Sequence, residues 1–180
     1  NAGMDDRSMS FGSDAMGTVT FHGHGGSSVM GQWDDMTPNA YEEVWDTTAS
    51  ADRRIDGRSG NNLLTYDSPS FNGVMFKAAY QHDHSTDAGQ GQDISHYSDF
   101  GIMVTPEMVE GLTVGAAVSD NEVAAGGKNS NKSTAYVKYA VGAVTVGFQY
   151  SEDDHDNKTS SQESQAWGVT YAVNDDMSIG

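Results

Sequence analysis

Residues 61–82 read NNLLTYDSPSFNGVMFKAAYQH, and the predicted fold depends on the pattern in this stretch. In residues 74–81, valine, phenylalanine, alanine and tyrosine at even positions alternate with methionine, lysine, alanine and glutamine at odd positions. A period of two predicts a strand with one apolar face and one polar face. Pro69 cannot donate to a β-ladder and Gly73 tolerates unusual backbone angles, so the polar run around them predicts a turn. The stretch is therefore predicted to be a β-hairpin.

The same alternation recurs along the chain. We predict strands near residues 5–11, 17–22, 62–66, 74–81, 99–105, 112–119, 134–139, 144–151, 167–173 and, in part, 177–179. Their connections alternate in length, with short turns near Ser70, Met108, Gly142 and Asp175 and long polar loops near Gln90, Gly126 and Asn157. Since no helical crossover is predicted, the pattern indicates an all-β, up-and-down antiparallel meander of about nine strands.

Residues 23–60 interrupt this pattern with a long segment that mixes aromatic and acidic side chains. Thr37 followed by Pro38 is a typical helix start, with threonine as the cap and proline at the first helical position. We therefore predict about two turns of helix extending to Trp45. Because Trp33, Tyr41 and neighbouring apolar residues can be buried, we expect a folded loop.

Composition excludes several classes of protein. The net charge of −17 and a pI of about 4.3 argue against a nucleic-acid partner, because binding phosphates needs a basic surface. The 180 residues contain no cysteine, which excludes disulfides and thiolate chemistry within them. The mean hydropathy is −0.57, and no apolar run approaches the roughly 20 residues of a spanning helix. A membrane β-barrel is not excluded, because its strands show only alternating hydrophobicity.

Two architectures fit the alternation. In a soluble sandwich the apolar strand faces pack against a second sheet, whereas in a membrane barrel they face lipid. The small or hydrophilic polar faces and the long loops on one side favour the barrel. Aromatic residues near strand ends also favour it, because barrels carry aromatic girdles at the membrane interfaces. These aromatic residues are Tyr66, Tyr80, Phe100, Tyr150, Trp167 and Tyr171.

The central hairpin also carries a family resemblance. The run RSGNN at residues 58–62, followed by YDSPSFNG at residues 66–73, resembles the segment after the constriction loop of general diffusion porins. Residues 15–21 and 111–116 are similar to porin strands. The resemblance implies the central part of a transmembrane barrel of about 16 strands, with residues 23–60 as a constriction loop folded inward. Residues 1–180 are then expected to be a single porin barrel domain that is incomplete at both ends.

The resemblance implies a function as well. Such a protein would be a homotrimer in the bacterial outer membrane, in contact with lipid and lipopolysaccharide. It would pass small hydrophilic solutes and ions by passive diffusion, without enzymatic turnover. The loop lacks the proline-glutamate-phenylalanine signature that is usual in these porins, so the narrowest point is not assigned. The alternative function is that of a secreted β-sandwich or adhesin-like binding domain.

Charged residues of the loop and of the polar strand faces are the candidates for a pore constriction. The acids are Asp34, Asp35, Glu42, Glu43, Asp46 and Asp52, and the bases are Arg53, Arg54, Arg58, Lys77 and Lys138. Opposed charges across a lumen create a transverse field that orients solutes and biases ion choice. The alternative is a solvated acidic loop whose arginines pair with its own acids.

No cofactor is expected from the sequence. Carboxylates in the long loops offer the oxygen ligands that calcium prefers, with simple solvation as the alternative. The candidates for such structural calcium are Asp83, Asp87, Asp153 and Asp154. The six histidines have no third ligand at a fixed spacing and are interpreted as loop residues. The sequence contains no nucleophile elbow, metalloprotease motif or phosphate loop, so it gives no indication of an enzyme.

Overall fold

The computed structural model describes residues 6–40, 55–60, 62–84, 94–123, 129–155 and 161–180. Within these ranges ten strands form one antiparallel sheet, and their order in the sheet is their order in the chain. The strands are β1 (Arg7–Ser13), β2 (Gly17–His24), β3 (Leu63–Asp67), β4 (Val74–His84), β5 (Ile94–Val104), β6 (Leu112–Val123), β7 (Ser130–Val141), β8 (Val144–His155), β9 (Gln162–Asn174) and β10 (Met177–Ile179). The predicted all-β, up-and-down meander is confirmed.

Strands β4 to β9 extend further into polar sequence than the alternation predicts. The sequence predicts loops at residues 82–98, 120–132 and 152–164, but large parts of these segments are paired. Tyr97 pairs with Gln81 on one side and with Asn121 on the other, and Asp154 pairs with Asn131. The prediction was wrong there because ladder hydrogen bonds join backbone groups, which are the same under polar and apolar side chains.

The two faces of the sheet have opposite polarity, and the polar face is the buried one. We call this polar side the inner face. Its buried residues include Gln81, Asp99, Ser119, Thr134, Gln149 and Ser151. The other side, the outer face, exposes large apolar side chains, including Phe21, Leu64, Tyr80, Phe100, Phe148 and Trp167. A soluble sheet buries its apolar side, so this arrangement is the one expected of strands that face lipid.

A segment of the loop between β2 and β3 covers the inner face. It contains a short helix, α1 (Val29–Gln32), capped by Ser28, whose Oγ accepts a hydrogen bond from the Gly31 N–H (3.3 Å). The sequence analysis did not predict this helix. The helix predicted from Thr37 is absent from residues 37–40, and residues 41–45 lie outside the described ranges.

The loop segment and the sheet enclose a small apolar core. It consists of Val29, Met30, Trp33, Ile55, Ala117 and Tyr136. The Trp33 and Tyr136 rings meet edge to face, with centroids 5.4 Å apart and planes at 79°. In the part of the chain that the structure describes, no helix is long and apolar enough to cross a membrane.

Small residues on the inner face allow the loop to approach the sheet closely. A Cβ added at Gly101 of β5 would lie 2.6 Å from Trp33 Cζ3 and 2.7 Å from Val29 Cγ1. At Gly147 of β8 an added Cβ would collide with Pro38. Since loop side chains pack where the sheet lacks side chains, the glycines define the path of the loop across the sheet.

We expect Gly101→Ala to destabilise the folded protein by about 1–3 kcal/mol, because an added methyl group overpacks the contact with Trp33 and Val29. The measurement is urea unfolding of the full-length protein in lipid vesicles. Gly23→Ala is the matched control, since a Cβ there would meet its nearest atom at 3.6 Å. An unchanged free energy of unfolding for Gly101→Ala would contradict this close packing.

Candidate functional site

The loop crosses the inner face from β5 to β8 and makes specific contacts on the way. The Ser28 Oγ lies 3.2 Å from the Tyr97 hydroxyl of β5, and the Met30 N–H donates to Asp99 Oδ2 at 2.8 Å. Further along, the Met36 N–H donates to the Gln149 side chain of β8 at 2.7 Å. Residues 28–36 are therefore attached to the inner face of the sheet, which we call the wall, through the Ser28 side chain and the backbone N–H groups of Met30 and Met36.

Asp99 anchors the beginning of this segment. Its Oδ2 also accepts a hydrogen bond from the Tyr97 hydroxyl at 2.9 Å, and both residues are buried. The Ser28 Oγ in turn accepts a bond from the Arg58 N–H at 3.0 Å, and the Ser28 N–H donates to the Arg58 carbonyl at 2.7 Å. This buried polar cluster joins the outgoing and returning arms of the loop to β5.

Arg58 lies on the returning arm, against the wall. One guanidinium nitrogen donates to Asn121 Oδ1 at 3.0 Å, and the group lies over the Tyr97 ring, 5.9 Å from its centroid. Burial lowers the pKa of Arg58 from its usual value, while Tyr97 and Asp56 act in the opposite direction. An arginine remains protonated under any ordinary condition, so this is a fixed positive charge at the base of the loop.

Lys132 is an inner-face base that the sequence analysis missed. Its Nζ donates to the Asp56 carbonyl at 2.7 Å and lies 3.8 Å from Asp153 Oδ2. A signal was available, because Lys132 is six residues before Lys138 and so shares its face of β7. The sequence predicted this end of the strand to be a loop, and the alternation was not followed that far.

The acid pair Asp34–Asp35 lies in the turn after α1, half-buried. Asp34 Oδ1 accepts from the Asp35 N–H, and Asp35 Oδ1 accepts from the Thr37 N–H, both at 2.8 Å. Such bonds from aspartate to the following backbone stabilise tight turns. The two carboxylates are therefore held in a folded turn over the inner face.

Lys77 and Lys138 both lie on the inner face, as their alternation predicts. Lys77 forms an ion pair with Asp67 and donates to Gln32 Oε1 of the loop at 2.8 Å. The Lys138 Nζ lies 6.0 Å from the centroid of the Tyr136 ring, and among the described residues it forms no ion pair. Of these two bases, Lys138 therefore retains the more effective positive charge.

The remaining candidates are placed only in part. Six charged residues of the loop lie outside the described ranges: Glu42, Glu43, Asp46, Asp52, Arg53 and Arg54.

Of the proposed calcium ligands, Asp87 and the side chain of Asp83 also lie outside the described ranges. Asp153 points inward, 3.5 Å from His155 Nε2, whereas the neighbouring Asp154 accepts a bond from Ser161 at 2.9 Å. Successive side chains of a strand point to opposite faces, so these two aspartates do not share one ion. In the described ranges, no three metal-ligating side chains form a cluster, and calcium binding stays a prediction.

We expect Asp99→Leu to loosen α1, because it leaves the buried Met30 N–H and Tyr97 hydroxyl without their acceptor, at a cost of about 1–3 kcal/mol. Hydrogen exchange of residues 29–33 in the full-length protein should become faster. Asp120→Leu, on the exposed outer face of β6, is the matched control. Unaltered protection of these residues in Asp99→Leu would show that the carboxylate does not hold the loop.

Comparison with known proteins agrees with this arrangement. The model of the Gram-negative porin family matches residues 1–180. Outer membrane porin N of Escherichia coli (strain K12) is 30% identical over 140 residues, which is 67% of this chain and 36% of that protein. The chain thus spans little more than a third of the length of this curated relative.

Two solved structures of Vibrio cholerae outer-membrane proteins are also similar. A loop L8 deletion mutant of OmpT has a TM-score of 0.48 and 9% identity, covering 94% of this chain and 70% of that chain. OmpT folded in vitro, in its trimer form, has a TM-score of 0.43 and 10% identity, covering 89% and 63%.

The alternative of a secreted sandwich or adhesin-like domain is wrong. The family match contradicts it, and in the described ranges the apolar strand faces are exposed rather than packed against a second sheet. The family match and the curated relative indicate that the protein is located in the bacterial outer membrane. The resemblance noted in the central hairpin extends over the whole chain, and the chain belongs to the Gram-negative porin family.

Proposed function

We propose that the full-length protein is a passive diffusion channel for small hydrophilic solutes and ions across the outer membrane. In this proposal residues 1–180 form a continuous part of one barrel domain, and the segment of residues 28–38 narrows its lumen. The observation that carries the proposal is the attachment of this segment to the polar inner face, through Asp99 at one end and Gln149 at the other. A folded segment that crosses the polar inner face narrows the lumen. It does so without covering the sheet with a second apolar layer.

Selection would rest on size and on charge. Solutes wider than the gap beside the loop are excluded, and smaller ones experience the field between loop acids and wall bases. We assign the acid side to Asp34 and Asp35, together with the acids of residues 42–52. On the wall, Lys138 contributes most, because Asp67 offsets the charge of Lys77 and Asp153 offsets that of Lys132. No bond is made or broken in this process, which is that of a channel family rather than of enzymes.

The partners we propose follow from membership of the family. The protein assembles as a homotrimer, a form also seen in one of the structurally similar proteins. The exposed outer face, with side chains such as Phe100 (48% exposed) and Trp167 (75% exposed), offers a surface suited to lipid and to the acyl chains of lipopolysaccharide.

We expect the double variant Asp34→Asn/Asp35→Asn to lower the cation-over-anion permeability ratio about two- to fivefold. In water an ion about 10 Å from a carboxylate is attracted by roughly 0.4 kcal/mol, so removing both charges changes its free energy by about 0.8 kcal/mol, or about fourfold. The measurement is the reversal potential of the full-length protein in a planar bilayer under a salt gradient. The matched control is Asp175→Asn/Asp176→Asn, which removes the same charge from the exposed β9–β10 turn.

Two outcomes would count against these assignments. Wild-type protein that gives no conductance would contradict the channel itself. Normal openings with equal permeability ratios in the loop variant and the wild type would retain the channel and exclude Asp34 and Asp35 as its selective acids.

A further inference from the structure

Gln149 lies on the inner face of β8 and is almost fully buried, with 3% of its surface exposed. Its side-chain amide makes three hydrogen bonds. The Oε1 accepts from the Met36 N–H at 2.7 Å, and the Nε2 donates to the Trp33 carbonyl at 2.7 Å and to Thr134 Oγ1 at 2.8 Å. Nearly all of its bonding capacity is therefore used inside the protein.

The two loop partners of Gln149 flank the acid pair. Trp33 immediately precedes Asp34, and Met36 immediately follows Asp35. One amide group therefore holds the backbone on both sides of the two carboxylates. A turn fixed at both ends keeps the side chains it carries in a narrow range of positions.

The two loop groups determine the orientation of this amide. Thr134 Oγ1 lies 2.8 Å from Ser151 Oγ, so the Gln149 amide continues a chain of polar contacts across β7 and β8. If the amide were flipped, its NH₂ group would face the Met36 N–H and its oxygen would face the Trp33 carbonyl. Both contacts would be repulsive, and only the observed orientation satisfies both loop groups.

We propose that Gln149 is a positioning residue for ion selection: it does not contact the solute path and acts by holding Asp34 and Asp35 in place. This inference rests on the proposed channel function and adds a residue outside the constriction that determines ion selection. The same acids on an unclamped turn would sample a wider region, so their field at the ion path would be weaker and would fluctuate.

The test compares four forms of the full-length trimer in planar bilayers: wild type, Gln149→Leu, Asp34→Asn/Asp35→Asn, and the combination of all three substitutions. We expect Gln149→Leu to shift the permeability ratio towards that of the acid-free double variant and to increase the noise of the open-channel current. In the acid-free background the same leucine should leave the ratio unchanged. Gln165→Leu, on the exposed outer face of β9, is the matched control and should behave as wild type.

The outcomes are distinguishable. Wild-type protein without conductance would overturn the proposed function and with it this inference. Wild-type channels together with an unaltered ratio in Gln149→Leu would overturn the inference alone. An equal shift with and without the acids would also overturn it, since Gln149 would then support the wall only. Migration as a heat-modifiable trimer identifies folded protein; if the leucine variant does not fold, Gln149→Asn, whose shorter amide cannot span both loop groups, replaces it with the same expectations.

Discussion

The structure depends on how the backbone polar groups of the loop find hydrogen-bond partners on the inner face of the sheet. Buried N–H and C=O groups need partners, and neither irregular backbone nor the first turn of a helix supplies them internally. Here the wall supplies them: Asp99 accepts from the Met30 N–H, and Gln149 bonds to both Trp33 and Met36. Polar side chains on the inner face are therefore a structural requirement as well as a chemical property of a lumen.

This requirement explains the inverted polarity of the sheet. Irregular backbone is tolerated at membrane depth where it is buried in protein or lines a water-filled cavity. The inner face therefore carries hydrogen-bonding and small residues, such as Thr134 and Gly101, that hold the loop at close range. The backbone of an interior strand such as β8 is paired on both sides, so its outer face can expose apolar side chains such as Phe148.

The hairpin pattern predicted the fold well, whereas the site was predicted only in outline. Alternation is a local property, so it correctly placed Lys77 and Lys138 on one face and gave the order of the strands. It failed at the strand ends, where polar residues such as Tyr97 and Asn121 remain paired because the ladder does not depend on side-chain polarity. The contacts that hold the loop could not be predicted from one sequence: Met30 and Asp99 are 69 positions apart, and Met36 and Gln149 are 113 apart. Helix α1 was missed for the same reason, since a four-residue helix owes its stability to such contacts.

The central claim is that the inner face lines an aqueous lumen and the outer face contacts lipid. Neighbouring residues of β7 test it most directly, because Lys138 points inward and Val137 points outward, and these 180 residues contain no cysteine that would react in the background. The measurement is current block by a charged, membrane-impermeant thiol reagent on the full-length channel carrying Lys138→Cys or Val137→Cys. The account predicts a stepwise loss of conductance for Lys138→Cys and no reaction for Val137→Cys. Block of the Val137→Cys channel with Lys138→Cys unaffected would contradict it.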